Sequence, residues 1–383
     1  MKNTDGSDRL SSLHDSVLSH ILGFLDMKQV VHTSLLSKRW RYVWKSVSSL
    51  NFDHSFWIKI AQPVGFHPLM AYMAIPPFPR LKYGFMDFVD HILSIHEGSV
   101  IDKFNLYGAG CCQKDRVDEW LSTVIRCRIQ EIHLDLYTAL PQFFFTSSST
   151  THLKKLLLAS IQLPDSNSEG EIMLDCPVLE TLILINCHYA YNPSNVFLIS
   201  APQLRKLVCR SLHISCTIKL CAPNLISVTC TGSLLRIYHM ENISSQELRV
   251  TIASQRTNAQ ELLELLRGLK YATTLDISNC WLSFSDNSDH DKSTNMEKLD
   301  VEEPFEFMVQ ELKIQDLQGN EDEFMVLGIL FKHAPYLKTV HITTTRARKS
   351  AIRKPLAKFG KKLHSLHTAS TSVRIKFVVK TRM

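Results

Sequence analysis

The chain has 383 residues, 45% of them hydrophobic, and a formal net charge of +6. This length and hydrophobic content are enough for one large or two ordinary globular domains with apolar cores. The first twelve residues are polar, and the apolar stretch at residues 324–331 is far shorter than the roughly 20 residues that cross a membrane. We therefore predict no signal peptide and no membrane span, and we expect a soluble, intracellular protein.

The N-terminal residues predict three short helices. Apolar residues three or four apart indicate the first, with Ser12 and Asp15 as a weak capping box. Asp26 is predicted to cap the second helix and Ser37 the third. The apolar residues assigned to these helices are Val17, Leu18, Ile21, Leu22 and Leu25, then Val30, Val31 and Leu35, then Trp40, Val43 and Trp44.

Three helices in so few residues cannot bury all of this apolar surface among themselves, because small modules have too little interior. The remaining apolar faces need a partner. That partner is either the domain that follows, with the helices as its cap, or a helix of another protein. Periodicity alone favours the cap.

The pattern L-x-x-L-x-L recurs along the rest of the chain, with Ile, Val, Phe or Cys in place of Leu. From Ile101 onward most copies start 20 to 28 residues apart. This is the period of leucine-rich repeats, in which each unit gives one strand and a returning segment. A few copies would arise by chance, whereas about ten at this spacing predict a solenoid. The copies begin at Val47, Ile101, Ile129, Leu153, Leu179, Leu204, Leu225, Val309, Leu337 and Leu363, with weaker ones at Ser245 and Ala272.

Four of these copies have a proline two residues before the first Leu, and we expect each proline to start a strand. They are Pro177, Pro202, Pro223 and Pro335.

Four connectors have apolar stripes at helical spacing and predict helices that pack on the sheet. They cover residues 85–93, 117–125, 262–269 and 324–331. The connectors within residues 153–250 lack this period and predict irregular or turn-rich returns.

Two stretches interrupt the repeats. Residues 62–80 contain five prolines among apolar residues and predict a loop. Residues 283–306 are rich in Ser, Asp and Glu and predict a mobile, exposed loop. Its acidic residues and His290 could suggest a metal site, but clustered acids on a polar loop are usually only solvated.

Positive charge is concentrated at one end of the sequence. Residues 324–383 contain fourteen Lys or Arg and no Asp or Glu, which leaves the remainder at −8. This basic cluster could be a solvated helix face, a surface for an acidic protein, or an intramolecular partner of the acidic loop. A nucleic-acid partner is not expected, because no aromatic interleaving or known nucleic-acid module accompanies the charge.

Motifs for catalysis are absent from the sequence. It lacks the phosphate-binding, dinucleotide-binding, nucleophile-elbow and H-E-x-x-H patterns, and its seventeen His residues show no meaningful pairing. None of the ten cysteines forms a C-x-x-C pair, which argues against zinc-ribbon and thioredoxin-like sites and indicates buried, reduced thiols. We predict no enzyme activity, no metal and no cofactor.

The N-terminal helices also carry a specific string. Residues 35–44 read Leu-Leu-Ser-Lys-Arg-Trp-Arg-Tyr-Val-Trp, after an upstream Leu-x-Asp-x-x-Leu-x-x-Ile-Leu. With these motifs, residues 8–53 resemble the F-box, the module that docks a substrate receptor onto a Skp-type adaptor of a cullin–RING ubiquitin ligase. The family usually has proline where this chain has His14, a departure expected to loosen the helix start. The resemblance implies adaptor binding by Leu13, Leu18, Ile21, Leu22, Val30, Val31, Leu36, Ser37, Trp40 and Trp44.

A second resemblance covers the C-terminal region. Gln310-Glu-Leu-Lys-Ile, Gly319-Asn-Glu-Asp-Glu and Leu330-Phe-Lys-His-Ala-Pro-x-Leu resemble the FBD-type end of plant F-box/leucine-rich-repeat proteins. The predicted organisation is an F-box, then a proline-containing loop and a leading helix, then degenerate repeats, then FBD-like repeats with a basic end. Their bounds are 8–53, 54–100, 101–300 and 307–383.

The predicted fold class is α/β: a small helical F-box followed by an irregular leucine-rich-repeat solenoid with a parallel sheet and helical or irregular connectors. The resemblance implies a substrate-recognition subunit of an SCF-type cullin–RING ubiquitin ligase. Its partners would be a Skp-type adaptor, through it the ligase, and an unidentified protein target. An F-box scaffold without degradation activity and a small-molecule-assisted interaction protein remain alternatives.

Overall fold

The structure, a computed structural model, forms two compact units, Met1–Asp165 and Ser166–Met383. It describes residues 10, 12–58, 79–96, 100–108, 110–146, 150–164, 171–188, 196–212, 217–232, 236–240, 247–253, 257–278, 282–283, 306–319, 321–344, 359–363, 369–370 and 373–378. Most of the predicted loops at 62–80 and 283–306, and most of the basic cluster, lie outside these residues.

Among the described residues 12–46, three short helices open the first unit. They are α1 (Asp15–Leu22), α2 (Met27–Thr33) and α3 (Trp40–Val43), followed by a 3-10 turn at Trp44–Ser46.

The cap of α1 differs from the prediction. The His14 ring nitrogen Nδ1 accepts the N–H of Ser16 at 3.3 Å, so His14 is the cap and the predicted Ser12–Asp15 capping box is wrong. Asp15 already lies in the first turn, and its carboxylate accepts from Arg39. A side-chain cap at His14 offsets the expected loosening of this helix start.

Asp26 caps α2 as predicted, and it also ties this helix to the strand that follows. One carboxylate oxygen accepts the N–H of Lys28 and the other accepts the N–H of Asp53, both at 2.9 Å. The predicted cap at Ser37 is wrong, because Arg39 is the N-cap of α3 and has no side-chain capping bond, although the Ser37 hydroxyl accepts the N–H of Trp40 at 3.5 Å. The helices therefore pack on the first strand through a buried carboxylate.

The first unit then alternates strands and connectors. In chain order these are β1 (Ser49–Asp53), α4 (Ser55–Ile58), α5 (Pro79–Ile95), β2 (Lys103–Tyr107), α6 (Lys114–Arg126), β3 (Glu131–Asp135), a 3-10 turn (Gln142–Phe145) and β4 (Lys155–Ala159). The four strands are parallel and in register. The second and fourth residues of each strand are buried, as L-x-L predicts, and α5 and α6 are the predicted helical connectors.

The described part of the second unit contains two larger parallel sheets, two longer helices and a short helical segment at residues 359–363. In chain order the strands are β5 (Glu171–Asp175), β6 (Thr181–Ile185), β7 (Val196–Ser200), β8 (Lys206–Arg210), β9 (Thr217–Cys221), β10 (Ser227–Thr231), β11 (Arg236–Met240), β12 (Arg249–Ala253), β13 (Thr257–Asn258), β14 (Thr274–Ser278), β15 (Leu282–Ser283), β16 (Glu311–Leu317), β17 (Thr339–Thr344) and β18 (Arg374–Val378). The helices are α7 (Ala259–Gly268), after β13, and α8 (Glu321–Lys332), after β16.

One of these sheets has the order β6-β8-β10-β12-β14-β16-β17-β18 and the other β11-β9-β7-β5, while β13 pairs with β15. The strand-and-return repeats predicted from the L-x-x-L-x-L spacing are therefore confirmed. The predicted irregular returns between residues 153 and 250 are wrong, because β5, β7, β9 and β11 occupy four of them. Each return is only a five-residue strand, too short to stand out by period.

Two details of the repeat prediction need correction. The copy placed at Ser245 is two residues early, since Val250 and Ile252 pair with Val228 and Cys230 of β10. The geometry shared by the four prolines is a turn instead of a strand start. At each site the leucine two residues after the proline donates its N–H to the carbonyl of the residue just before the proline. These leucines are Leu179, Leu204, Leu225 and Leu337. Proline favours the second position of such a turn because its backbone angle is already fixed there. The copy at Leu363 runs outside the described residues, and β18 was not predicted.

Candidate functional site

Exposed apolar side chains are concentrated on the N-terminal helices. Fifteen large hydrophobic side chains are exposed in the described part of the chain, and seven of them lie within residues 10–42. So many exposed apolar side chains within so short a stretch of sequence favour a surface that a partner covers. We call these seven the N-terminal apolar patch: Leu10, Val17, Ile21, Phe24, Leu35, Leu36 and Tyr42.

Helix geometry explains how part of this patch is presented. Val17, Ile21 and Phe24 are four and three residues apart, so they follow one side of α1 and the turn after it. Leu18 and Leu22 follow another side, where both are buried. One short helix therefore has one apolar stripe in the core and a second one facing solvent.

The ten residues predicted to bind the adaptor are not all on this surface. Leu18, Leu22, Val30, Trp40 and Trp44 are buried in the first unit, and Leu13 and Val31 are half-buried. Only Ile21, Leu36 and Ser37 are exposed. The five buried residues hold the helices together, and adaptor binding by any of the ten stays a prediction.

Five residues of the N-terminal apolar patch are not among the ten residues predicted to bind the adaptor. They are Leu10, Val17, Phe24, Leu35 and Tyr42. The signal for some of them was present, because Val17 and Ile21 repeat at helical spacing beside Leu18 and Leu22. What the spacing could not show is which of the two stripes packs inward.

An ion pair fixes the segment after α2 against the start of α1. Arg39 donates Nε and Nη2 to one carboxylate oxygen of Asp15 at 2.8 and 2.6 Å, and it also donates to the Leu13 carbonyl. Both charged side chains are more than a third exposed, at 37% and 59%, so the pair adds little stability. Its effect is to hold the segment containing Leu36 near α1.

Replacing Asp26 with alanine tests the buried link between α2 and β1. Burial raises the pKa of the Asp26 carboxyl, against the lowering effect of its two N–H donors. Alanine leaves the N–H groups of Lys28 and Asp53 without their acceptor, so we expect the free energy of unfolding to fall by about 1–2 kcal/mol. Urea unfolding measures this, with Asp115→Ala on the exposed first turn of α6 as the control. Equal stability of both variants would contradict the role of this link.

The sheet of the first unit has one apolar buried face and one polar face. In-register pairing arranges the polar face in three rows across the strands. The first row is Ser49, Lys103, Glu131 and Lys155, the second is Asn51, Asn105, His133 and Leu157, and the third is Asp53, Tyr107, Asp135 and Ala159. We call these rows the polar sheet face.

His133 in the second row is held neutral. Burial, with Lys103 and Lys155 nearby, lowers its pKa to about 4, while Glu131 acts in the opposite direction. The Glu131 carboxylate lies 3.4 Å from the Lys103 ammonium and 3.7 Å from that of Lys155, so it forms ion pairs with both lysines. The distance from Glu131 to the His133 ring nitrogen is longer, at 3.9 Å.

The depressed pKa of His133 predicts a loss of stability in acid. The unfolded chain takes up this proton below the ordinary value of 6.5, and the folded chain only near 4. The free energy of unfolding should therefore fall as pH drops from 6.5 toward 4, by on the order of 1–3 kcal/mol more in the wild type than in His133→Gln. Urea unfolding at several pH values measures the two slopes, and identical slopes would show that His133 does not contribute.

Other kinds of site find no support among the described residues. In that part of the chain, no helix is long and apolar enough to cross a membrane. The same residues contain no group of three or more His, Cys, Asp or Glu side chains placed to hold a metal ion.

Comparison with known proteins defines the class of the N-terminal module. The family model for the F-box domain matches residues 10–52, which span α1 to α3 and nearly all of β1. Residues 10–52 therefore match an F-box domain, and parallel strand repeats follow this module.

Curated proteins of Arabidopsis thaliana are similar over longer stretches. An F-box protein is 35% identical over 52% of this chain and 39% of its own length. A putative F-box/LRR-repeat protein is 27% identical over 71% of this chain and 66% of its own length. A putative FBD-associated F-box protein is 29% identical, over 58% and 54% of the two chains. These matches confirm the resemblance to the plant F-box/FBD/leucine-rich-repeat family and support a role in protein interaction. This chain spans about a third to two thirds of the length of such relatives.

Proposed function

We propose that this protein is the substrate-recognition subunit of an SCF-type cullin–RING ubiquitin ligase. The F-box would dock a Skp-type adaptor, and the strand units would bind a protein target. The chain would supply no catalytic group, because the ligase brings a charged conjugating enzyme and this protein holds the target beside it. Such a complex would work inside the cell, in the cytoplasm or the nucleus.

The N-terminal apolar patch is the observation that carries this proposal. It combines exposed Val, Ile and Tyr side chains on α1 and α3 with exposed Leu and Phe side chains in the neighbouring turns, the kind of surface that packs against helices of a partner. We revise the docking residues accordingly. The exposed residues, led by Ile21 and Leu36, would contact the adaptor, while Leu18 and Trp40 would act indirectly by holding the helices in place.

The same proposal assigns a separate role to each segment of the chain. Residues 8–53 would form the adaptor-binding module, with a loop and a leading helix at 54–100. The repeats at 101–300 and 307–383 would form the target-binding part. The large number of parallel strands favours this, since repeat arrays offer long surfaces to partners.

Co-elution of purified components tests the proposed function. The full chain is mixed with a Skp-type adaptor and a cullin, and the mixture is separated by size-exclusion chromatography. We expect the chain to elute with the cullin only when the adaptor is present. A folded chain that elutes alone in every mixture would overturn the assignment. If the complex forms but target half-lives stay unchanged after depletion of this protein, the alternative of a scaffold would be favoured.

A further inference from the structure

The centre of the polar sheet face contains polar atoms without partners. Asn105 and His133 are each only 8% exposed. The amide oxygens of Asn51 and Asn105 and the Nε2 atom of His133 are buried, and they have no hydrogen-bond partner among the residues that the structure describes. Buried polar atoms are nearly always paired, so a row of three unpaired ones points to a ligand that supplies the missing partners.

The third row adds negative charge beside these atoms. Asp53 and Asp135 flank Tyr107 on neighbouring strands, and one carboxylate oxygen of Asp135 is also buried without a hydrogen-bond partner. Burial raises the pKa of Tyr107 first, and both carboxylates raise it further. All three side chains are partly exposed, which leaves the third row open to a partner.

The charges of the first row are already balanced by ion pairs, unlike those of the third row. Glu131 is shared by Lys103 and Lys155. Within the described residues, neither Asp53 nor Asp135 has an ion pair, and Asp53 accepts only the backbone N–H of Ser55 at 2.8 Å. The free acceptors therefore lie together at the carboxyl ends of β1, β2 and β3.

We propose that the polar sheet face binds an arginine side chain of the protein target, with its guanidinium between Asp53 and Asp135. Arginine fits because it carries five N–H donors in a fixed plane and no acceptor, and the two carboxylates of the third row are acceptors only. A neutral His133 adds no positive charge that would repel the guanidinium. This inference rests on the proposed function, because it describes the target of the same protein.

Selection from a displayed library of random short peptides tests the inference. The full-length chain is the bait, and the selected peptides are then synthesised and their affinities measured. We expect them to share an arginine. Replacing that arginine with glutamine should weaken binding at least about tenfold, since a charge-assisted hydrogen bond is lost. Peptides that lack arginine, or that bind as well with glutamine, would overturn the proposal without any change to the protein.

Protein variants locate the site. Asp53→Asn with Asp135→Asn should weaken the arginine peptides at least about tenfold. Asp115→Asn with Glu119→Gln removes the same charge from α6 and should leave binding unchanged. Equal affinity of both double variants would place the arginine elsewhere and overturn the inference.

Adaptor binding, measured on the same wild-type preparation, separates this inference from the proposed function. A chain that binds the adaptor but selects no arginine peptide refutes only the inference. A chain that selects arginine peptides and loses them in the Asp53/Asp135 variant, but binds no adaptor, supports the arginine site and refutes the proposed function.

Discussion

Replacing Ile21 and Leu36 together with alanine is expected to weaken binding of the Skp-type adaptor at least about tenfold without unfolding the chain. Ile21 is 41% exposed and Leu36 is 68% exposed, so truncating them leaves no cavity in the core. In a complex the same side chains would be buried against the adaptor. Truncation to alanine would then remove apolar contacts of the kind that dominate interface energy. Titration calorimetry of the full chain with purified adaptor measures the change.

A matched control separates loss of the patch from loss of apolar surface in general. Met173 and Tyr336 are 49% and 51% exposed in the second unit. Replacing both with alanine removes similar exposed surface far along the sequence from the F-box and should leave adaptor affinity unchanged. If the control weakens binding as much as the Ile21/Leu36 variant, the patch is not the specific docking surface.

Replacing Phe144 with alanine is expected to destabilise the first unit by about 3–5 kcal/mol. Phe144 is 0% exposed, and its ring centroid lies 5.6 Å from that of Phe145, which is also buried. Alanine removes the ring and leaves a cavity that the parallel sheet and its connectors cannot close. Urea unfolding of the full chain, followed by tryptophan fluorescence of the first unit, measures the loss.

The residue next to Phe144 provides the control for this prediction. Phe143 lies in the same 3-10 turn but is 40% exposed. Its replacement by alanine should cost less than that of Phe144, about 1–2 kcal/mol, because Phe143 is already 40% exposed. Similar losses for the two variants would mean that Phe144 does not pack as the structure shows.

Much of the fold could be predicted because strands and helices have different apolar periods. The alternation at Phe104 and Leu106 predicted β2, and the helical stripe at Val117 and Leu121 predicted α6. Both patterns arise from local geometry and need no knowledge of the partner element. The cap at Asp26 was also predictable, since a short acceptor before a helix binds its first N–H groups.

Other features depend on neighbours that are distant in sequence. Leu18 and Ile21 have the same chemistry and lie on the same helix, but only the packing of α1 decides that Leu18 is buried and Ile21 exposed. The second sheet is formed by short returns whose pairing partners lie about 20–25 residues away. The unpaired row at Asn105 and His133 depends on the register between strands, which the sequence of one strand does not contain.

Hydrogen–deuterium exchange of the full chain, with and without purified Skp-type adaptor, tests the central claim most directly. We predict slower exchange in the peptides that cover α1 and the segment from Leu35 to Tyr42, and unchanged exchange in β6 to β18. A folded chain whose exchange does not change with the adaptor, or changes only in the second unit, would contradict the assignment of the N-terminal apolar patch as the docking surface.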